Sequence, residues 1–244
     1  MKKLLFILTA FFFLSNVFAQ EEEPTEAETK TETNLTGETF SKTEDFSDFI
    51  RSVDFVMQFQ PALYLNPEST LVSAPSPIVY QMSIGLLWPN YTFIAVQPTL
   101  SFFMMNHLLY EDKALPAEIE NRTTTTLSFM INIPAVFSLY LKNSRFQLSA
   151  GAGVLMRFGL LAAGVKDSDS GWTGTAGSDV EQINKWFWND MRWFYINAGG
   201  SWLYNLSPQL RAGPVIECSI PVGGLIKDQS PQGMLISLGI KICR

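Results

Sequence analysis

Five charged residues, Asp54, Arg157, Arg211, Glu217 and Lys241, lie in segments of alternating apolar and polar residues and share the polar parity. On a strand that parity sends all five side chains to one face. Opposite charges enclosed in a narrow interior are expected to pair, because an isolated one is costly. Antiparallel closure of the last such segment on the first would bring Lys241 near Asp54. The chemistry implied is a charge network that fills an interior; a gated pore lined by the same groups is the other reading.

His107 is the only histidine. It opens a long connecting stretch, where an imidazole could act as base toward a serine, but no motif selects that serine. One His and two Cys form no recognisable metal-ligand set. No catalytic, cofactor-binding or metal-binding residue is therefore assigned, no cofactor is expected, and the chain is read as a non-enzyme. If a hairpin is centred near Lys227, Cys218 falls opposite about Ile236 and points away from Cys243. A disulfide needs Cα atoms within about 7 Å, so two free thiols are expected. Trp186, Phe187 and Trp188 close the longest polar stretch, where they could grip a partner or anchor the stretch in the lipid headgroup layer.

The elements that position these residues are read from period-two alternation. Phe146, Leu148, Ala150, Ala152, Val154, Met156 and Phe158 interleave with Gln147, Ser149, Gly151, Gly153, Leu155 and Arg157. Strands are predicted at roughly 51–66, 77–88, 91–105, 122–141, 145–162, 191–206, 209–222 and 232–243. Each meets the 9–11 residues, approximately, that a tilted strand needs to cross a bilayer. Short links at Pro89-Asn90, Lys142 to Ser144 and Ser207-Pro208 alternate with long ones at 67–76, 106–121, 163–190 and 223–231. Outer-membrane barrels have short periplasmic turns and long external loops. The expected fold is therefore an all-β, eight-stranded antiparallel up-and-down transmembrane barrel over residues 51–244, with both ends periplasmic.

Residues 1–19 carry Lys2, Lys3, an apolar run from Leu4 to Leu14, and Val17-Phe18-Ala19. This reads as a secretory signal peptide cleaved after Ala19. Residues 20–50 form a Glu/Thr-rich acidic tail, expected to be disordered because it has little apolar surface to bury. It holds ten of the 23 acidic residues, leaving 13 acidic and 13 basic residues in 51–244. The acidity of the chain thus belongs to its tail.

Bulk decides which face is outside. The apolar face is crowded with Phe, Leu, Ile and Met, too large in sum to fill an eight-stranded lumen. The polar face, with Gln58, Gln60, Gln81, Ser83, Gln97, Thr99, Ser128, Asn132 and Asn197 beside the five charges, fits that space. Trp88, Tyr91, Tyr140, Trp202 and Tyr204 collect beside the short turns, as a periplasmic interfacial girdle would. A second set, including Trp193 and Tyr195, is expected at the outer interface. Pro61, Pro98, Pro134 and Pro214 fall inside strands and imply bulges or irregular pairing.

Export signal, amphipathic strands and alternating loop lengths together resemble the small outer-membrane barrel families: the OmpA-type transmembrane domain, OmpX-like and OmpW-like proteins. The OmpW-like resemblance implies passive transfer of small hydrophobic solutes, and the OmpX-like one implies surface interactions. The chain ends Ile242-Cys243-Arg244 where those families end in an aromatic residue, which implies a divergent assembly signal or outer membrane. Partners implied are outer-membrane lipid, the barrel-assembly machinery, and either small hydrophobic solutes or an extracellular partner, with no nucleic acid. A porin-like or envelope-structural barrel and a surface adhesin acting through its long loops both remain open, as does a soluble periplasmic ligand-binding barrel.

Overall fold

The computed structural model describes residues 49–68, 71, 74–119, 123–162, 176–227 and 229–244. The signal segment 1–19, nearly all of the 20–50 tail and residues 163–175 lie outside the described residues. The strands are β1 (Asp54–Tyr64), β2 (Ile78–Leu87), β3 (Ile94–Val96), β4 (Thr99–Tyr110), β5 (Lys113–Pro116), β6 (Thr123–Tyr140), β7 (Ser144–Ala162), β8 (Phe194–Asn205), β9 (Arg211–Pro221) and β10 (Leu235–Cys243). Two helices interrupt them, α1 (Ala176–Asn189) and α2 (Val222–Lys227). No helix among the described residues is long and apolar enough to cross a membrane.

Antiparallel pairing runs β1–β2–β4–β6–β7–β8–β9–β10 and returns from β10 to β1, with Val56 opposite Cys243 and Tyr64 opposite Leu235. The result is a closed eight-stranded barrel. β3 extends the β4 stave, pairing Ile94–Val96 with Phe137, Val136 and Ala135 of β6. β5 folds back on the top of β4 across Glu111-Asp112, both with positive φ. That hairpin replaces part of the loop predicted at 106–121. Two residues of positive φ are what a type I′ turn requires, and Glu-Asp is a weaker sequence signal for it than Asn-Gly.

Each of the four strand prolines sits at a gap in a ladder on one side, while Pro61, Pro134 and Pro214 stay paired on the other, with Tyr80, Gly151 and Ile240. Pro98 separates β3 from β4, close to Pro134, whose carbonyl accepts from Gln97 N at 2.9 Å. Pro61 and Pro214 lie in gaps of the β1–β10 and β8–β9 ladders, with the same register resumed on either side. Gly239 and Gly213 lie within these gaps. A Cβ there would collide with the carbonyl oxygen of Phe59 or Trp202, so only glycine permits the close backbone approach. A bulge also occurs between β6 and β7 near Thr125 and Thr126, leaving one extra residue on β7.

The burial pattern of β1 alternates strictly from Asp54 to Tyr64. Outward positions are exposed and apolar: Phe59, Ile78, Ile133, Leu148, Ile216, Leu238 and Ile240 are among many. All nine predicted polar lumen residues are buried. The barrel is therefore inverted relative to a soluble one, with an apolar wall outside, as a hydrocarbon surrounding demands. β6 and β7, at 18 and 19 residues, exceed the bilayer-crossing minimum of about 9–11 and, with β4, extend past the start of β8, whose last pair with β7 is Phe194 with Val154.

The lumen is not uniformly polar as expected. A lower apolar layer of Val56, Leu87, Ala95, Val136, Leu203 and Cys243 lies near the short turns. A larger upper one contains Tyr64, Phe103, Met105, Met130, Leu155 and Tyr195, with Phe187 of α1 packed into it. α1 sits within the stretch predicted as an open loop at 163–190, and α2 within the one at 223–231. Ile183 of α1 packs on Leu109 and Ala114 of the β4–β5 hairpin, so the helix caps that side of the barrel mouth.

Candidate functional site

From the short-turn end upward, the interior is a stack of layers. At the bottom Asp54, 4% exposed, forms an ion pair with Arg211 and lies 3.6 Å from Arg145 Nη1. Asn90 Nδ2 donates to Asp54 Oδ1 at 3.0 Å, tying the β2–β3 turn to this cluster. Arg145 Nη2 donates to Ser138 Oγ at 2.9 Å, and its guanidinium lies 4.7 Å from the Tyr140 ring centroid. Arg145 was missed in the sequence reading although it shares parity with Gln147 and Arg157. It stands one residue from the Lys142 to Ser144 turn, where a positive charge reads as solvent-exposed.

The middle layer is polar. Lys241 Nζ donates to Gln97 Oε1 at 2.6 Å and to Gln147 Oε1 at 2.8 Å. Ser201 Oγ donates to the same Gln147 oxygen at 3.1 Å, and Asn197 Nδ2 to Asn132 Oδ1 at 2.9 Å. Closure does bring β10 against β1, but Lys241 falls opposite Gln58. Its hydrogen bonds therefore go to glutamines, and the ion pairs of Asp54 go to Arg145 and Arg211. Glu217, half-buried, lines the same small cavity as Lys241, of about 20 Å³. A water needs roughly 10–15 Å³, so this space suits a water and does not make a channel.

At the top, Arg157 stands apart from the other four charges. It is 8% exposed, with its guanidinium 4.3 Å from the Phe187 centroid and Nη2 3.5 Å from Asn184 Oδ1, both on α1. Arg192 lies 4.4 Å over Trp186. The Arg157 contact joins the helix to β7 and contributes about 2 kcal/mol when desolvated, whereas the Arg192 contact lies between α1 and the turn that follows it. Beneath them a second cavity of about 10 Å³ is lined by Tyr64, Phe187, Arg192, Tyr195 and Gln232 among others. Tyr195, predicted at the outer interface, is buried in the lumen because it shares the inward parity of Asn197. Trp193 is half-buried against the same cluster.

His107 is in β4, not in a loop, and 1% exposed. Its Nε2 is 3.1 Å from Tyr64 Oη, with the rings edge to face. Sealed in the lumen, it has no access to an exposed serine. Among the described residues no three His, Cys, Asp or Glu gather as a metal site. Cys218 pairs across with Ile236, the register expected, and both cysteines are free. Of the aromatic triplet, Phe187 is buried and Trp186 partly so, while Trp188 is 50% exposed. The three rings therefore do not form one external patch, because α1 turns the first two inward.

Trp88, Tyr91, Tyr140, Trp202 and Tyr204 are all exposed at the short-turn end. Trp202 stacks on Tyr204 with centroids 6.3 Å apart. Tyr140 Oη donates to the carbonyls of Asn90 and Thr92, at 2.9 and 3.1 Å. An open depression of about 600 Å³ lies on the outer wall above Trp202, where small Ala198 and Gly200 sit between Phe146, Leu148 and Ile216.

No protein-family model and no curated protein matches the sequence. Solved structures do. Neisserial surface protein A is 9% identical, with a TM-score of 0.45 over 78% of this chain and 94% of that one. The Yersinia pestis outer membrane protein Ail, in a phospholipid bilayer nanodisc, is 12% identical with a TM-score of 0.36 over 78% and 99%. A crystal structure of Ail with the heparin analogue sucrose octasulfate is 7% identical with a TM-score of 0.38 over 78% and 95%. These are small outer-membrane barrels. The barrel assignment here rests on the closed ladder itself.

Proposed function

We propose that this chain is an integral outer-membrane protein that does not conduct, and that its work is done by the wall and the external mouth. The observation that carries this reading is the filled lumen. Ion pairs, glutamine bonds, two apolar layers and a helix succeed one another along the axis. Among the described residues, cavities of about 20 and 10 Å³ lie in the middle layer and the mouth. Eight strands leave an interior that side chains fill. Envelope support and presentation of a surface to an extracellular partner both fit a sealed barrel; transfer of small hydrophobic solutes through the lumen would require α1 and the Asp54 cluster to move. The assembly route in this reading is signal-directed export followed by the barrel-assembly machinery, with both ends of the barrel periplasmic.

The test is conductance across a planar bilayer by the full mature chain, alongside gel migration with and without boiling. The expected result is a heat-shifted band in the membrane fraction with no steady current. Recovery from the periplasm without detergent overturns the membrane reading, and a stable open-channel current overturns the sealed one.

A further inference from the structure

Above the strands the mouth is asymmetric. On the β6 side the uppermost residues, Thr123 to Thr126, are buried threonines and offer no apolar outer surface. On the β8–β9 side the apolar wall continues past the strand ends. Phe194, at the start of β8, lies 5.9 Å from Trp193, and Trp193 lies 6.3 Å from Trp188. Gly223 N donates to Met191 O at 3.3 Å, packing the start of α2 against the turn that follows α1. A Cβ at Gly223 would overlap the Asp190 carbonyl, so this contact depends on glycine. Exposed on that combined surface are Trp188 at 50%, Met191 at 40%, Leu225 at 43% and Ile226 at 63%. Lys185 and Lys227 are exposed beside them.

Apolar side chains in this number have no reason to face water at the end of α1, on the turn that follows it and on the six-residue α2. Rings and aliphatic groups with lysines at the margin are the composition of segments that lie in the headgroup–acyl boundary, the long lysine stems carrying their charge outward. The continuous run of rings from Phe194 joins this surface to the wall already assigned to lipid. We infer that Trp188, Met191, Leu225 and Ile226 form a lipid-seated collar, inserted into the outer leaflet at the headgroup–acyl boundary on the β8–β9 side. The partner is the lipid surface, and Lys185 and Lys227 reach its headgroups. Because α1 also carries Phe187 into the lumen, the collar tethers the plug to the membrane. This rests on the outer-membrane reading above.

The experiment is fluorescence quenching in vesicles of phosphatidylcholine brominated near the headgroup end of the acyl chain, using the refolded full chain and its Trp188→Phe variant. The difference between the two reports Trp188. The expected result is loss of most of the Trp188 signal in brominated vesicles. A second variant, Ile226→Trp in the Trp188→Phe background, should be quenched to the same degree. If Trp88 and Trp202 are quenched but neither collar position is, the collar is overturned while the barrel stands. Aqueous iodide then tells whether solvent or another protein surface covers it. If no tryptophan is quenched by brominated lipid, the membrane reading itself fails.

Discussion

The two ends of the lumen are closed by different means. At the short-turn end Asp54, Arg145 and Arg211 come from three strands, and ladder pairing fixes their positions. At the mouth, Arg157 and Arg192 bond the faces of Phe187 and Trp186, which a helix brings in from outside the sheet. Among the described residues, a carboxylate answers the buried cations below, and aromatic rings lie against the buried cations above. The lower closure is part of the barrel; the upper one is an addition whose strength depends on how well α1 seats. The two should therefore fail separately.

The largest effect is expected from Asp54→Asn. It leaves Arg145, with a side chain only 2% exposed, and Arg211 facing no carboxylate. Removing one partner of a buried ionic cluster costs roughly 3–5 kcal/mol. Urea unfolding of the protein in vesicles should show the midpoint fall, while proteolysis at the mouth stays unchanged. An unchanged midpoint would mean that water, not Asp54, neutralises the lower arginines.

Next is Leu238→Arg, on the outer wall at 65% exposure. A cation facing the bilayer midplane costs about 2–4 kcal/mol, whereas the same change on a water-facing surface is usually within about 0.5 kcal/mol. The unfolding free energy in vesicles therefore discriminates the two surroundings of the wall. A near-zero change would place that face in water.

The staves were legible because the side-chain period of two ties every residue to a face, and a register error of one would have exposed the whole polar set. Cys218 opposite Ile236 follows from that constraint alone. What resisted reading was the filling. Tyr64, Leu155 and Leu203 have lumen parity but apolar character, so a two-letter pattern cannot say which end of a lumen is dry. α1 was hidden because its inward residues Ile183 and Phe187 recur at a spacing of four only once, in a window that opens on Gly177, Ser178 and Asp179 and closes on adjacent aromatics. Arg145 sits beside a turn, and its burial depends on Asp54 and Ser138, which are distant or separated in sequence. In each case the deciding partner is non-local.

The smallest effects belong to one helix and test the upper closure. Phe187→Leu keeps an apolar filler but removes the ring under Arg157, a loss of about 1–2 kcal/mol from cation–π contact and packing. Since the ring joins α1 to the barrel, that loss should appear as faster protease cleavage at the mouth, with the midpoint for the whole barrel little changed. Trp188→Ala, one residue on, removes a half-exposed ring and in detergent micelles should change stability by less than about 0.5 kcal/mol. Adjacent aromatic residues on the same helix would then differ because one faces a buried guanidinium and the other faces outward. If both substitutions loosen the mouth equally, α1 is held by its general apolar face and the arginines are incidental to it. If neither does, the hairpin contact of Ile183 with Leu109 and Ala114 is what seats the plug.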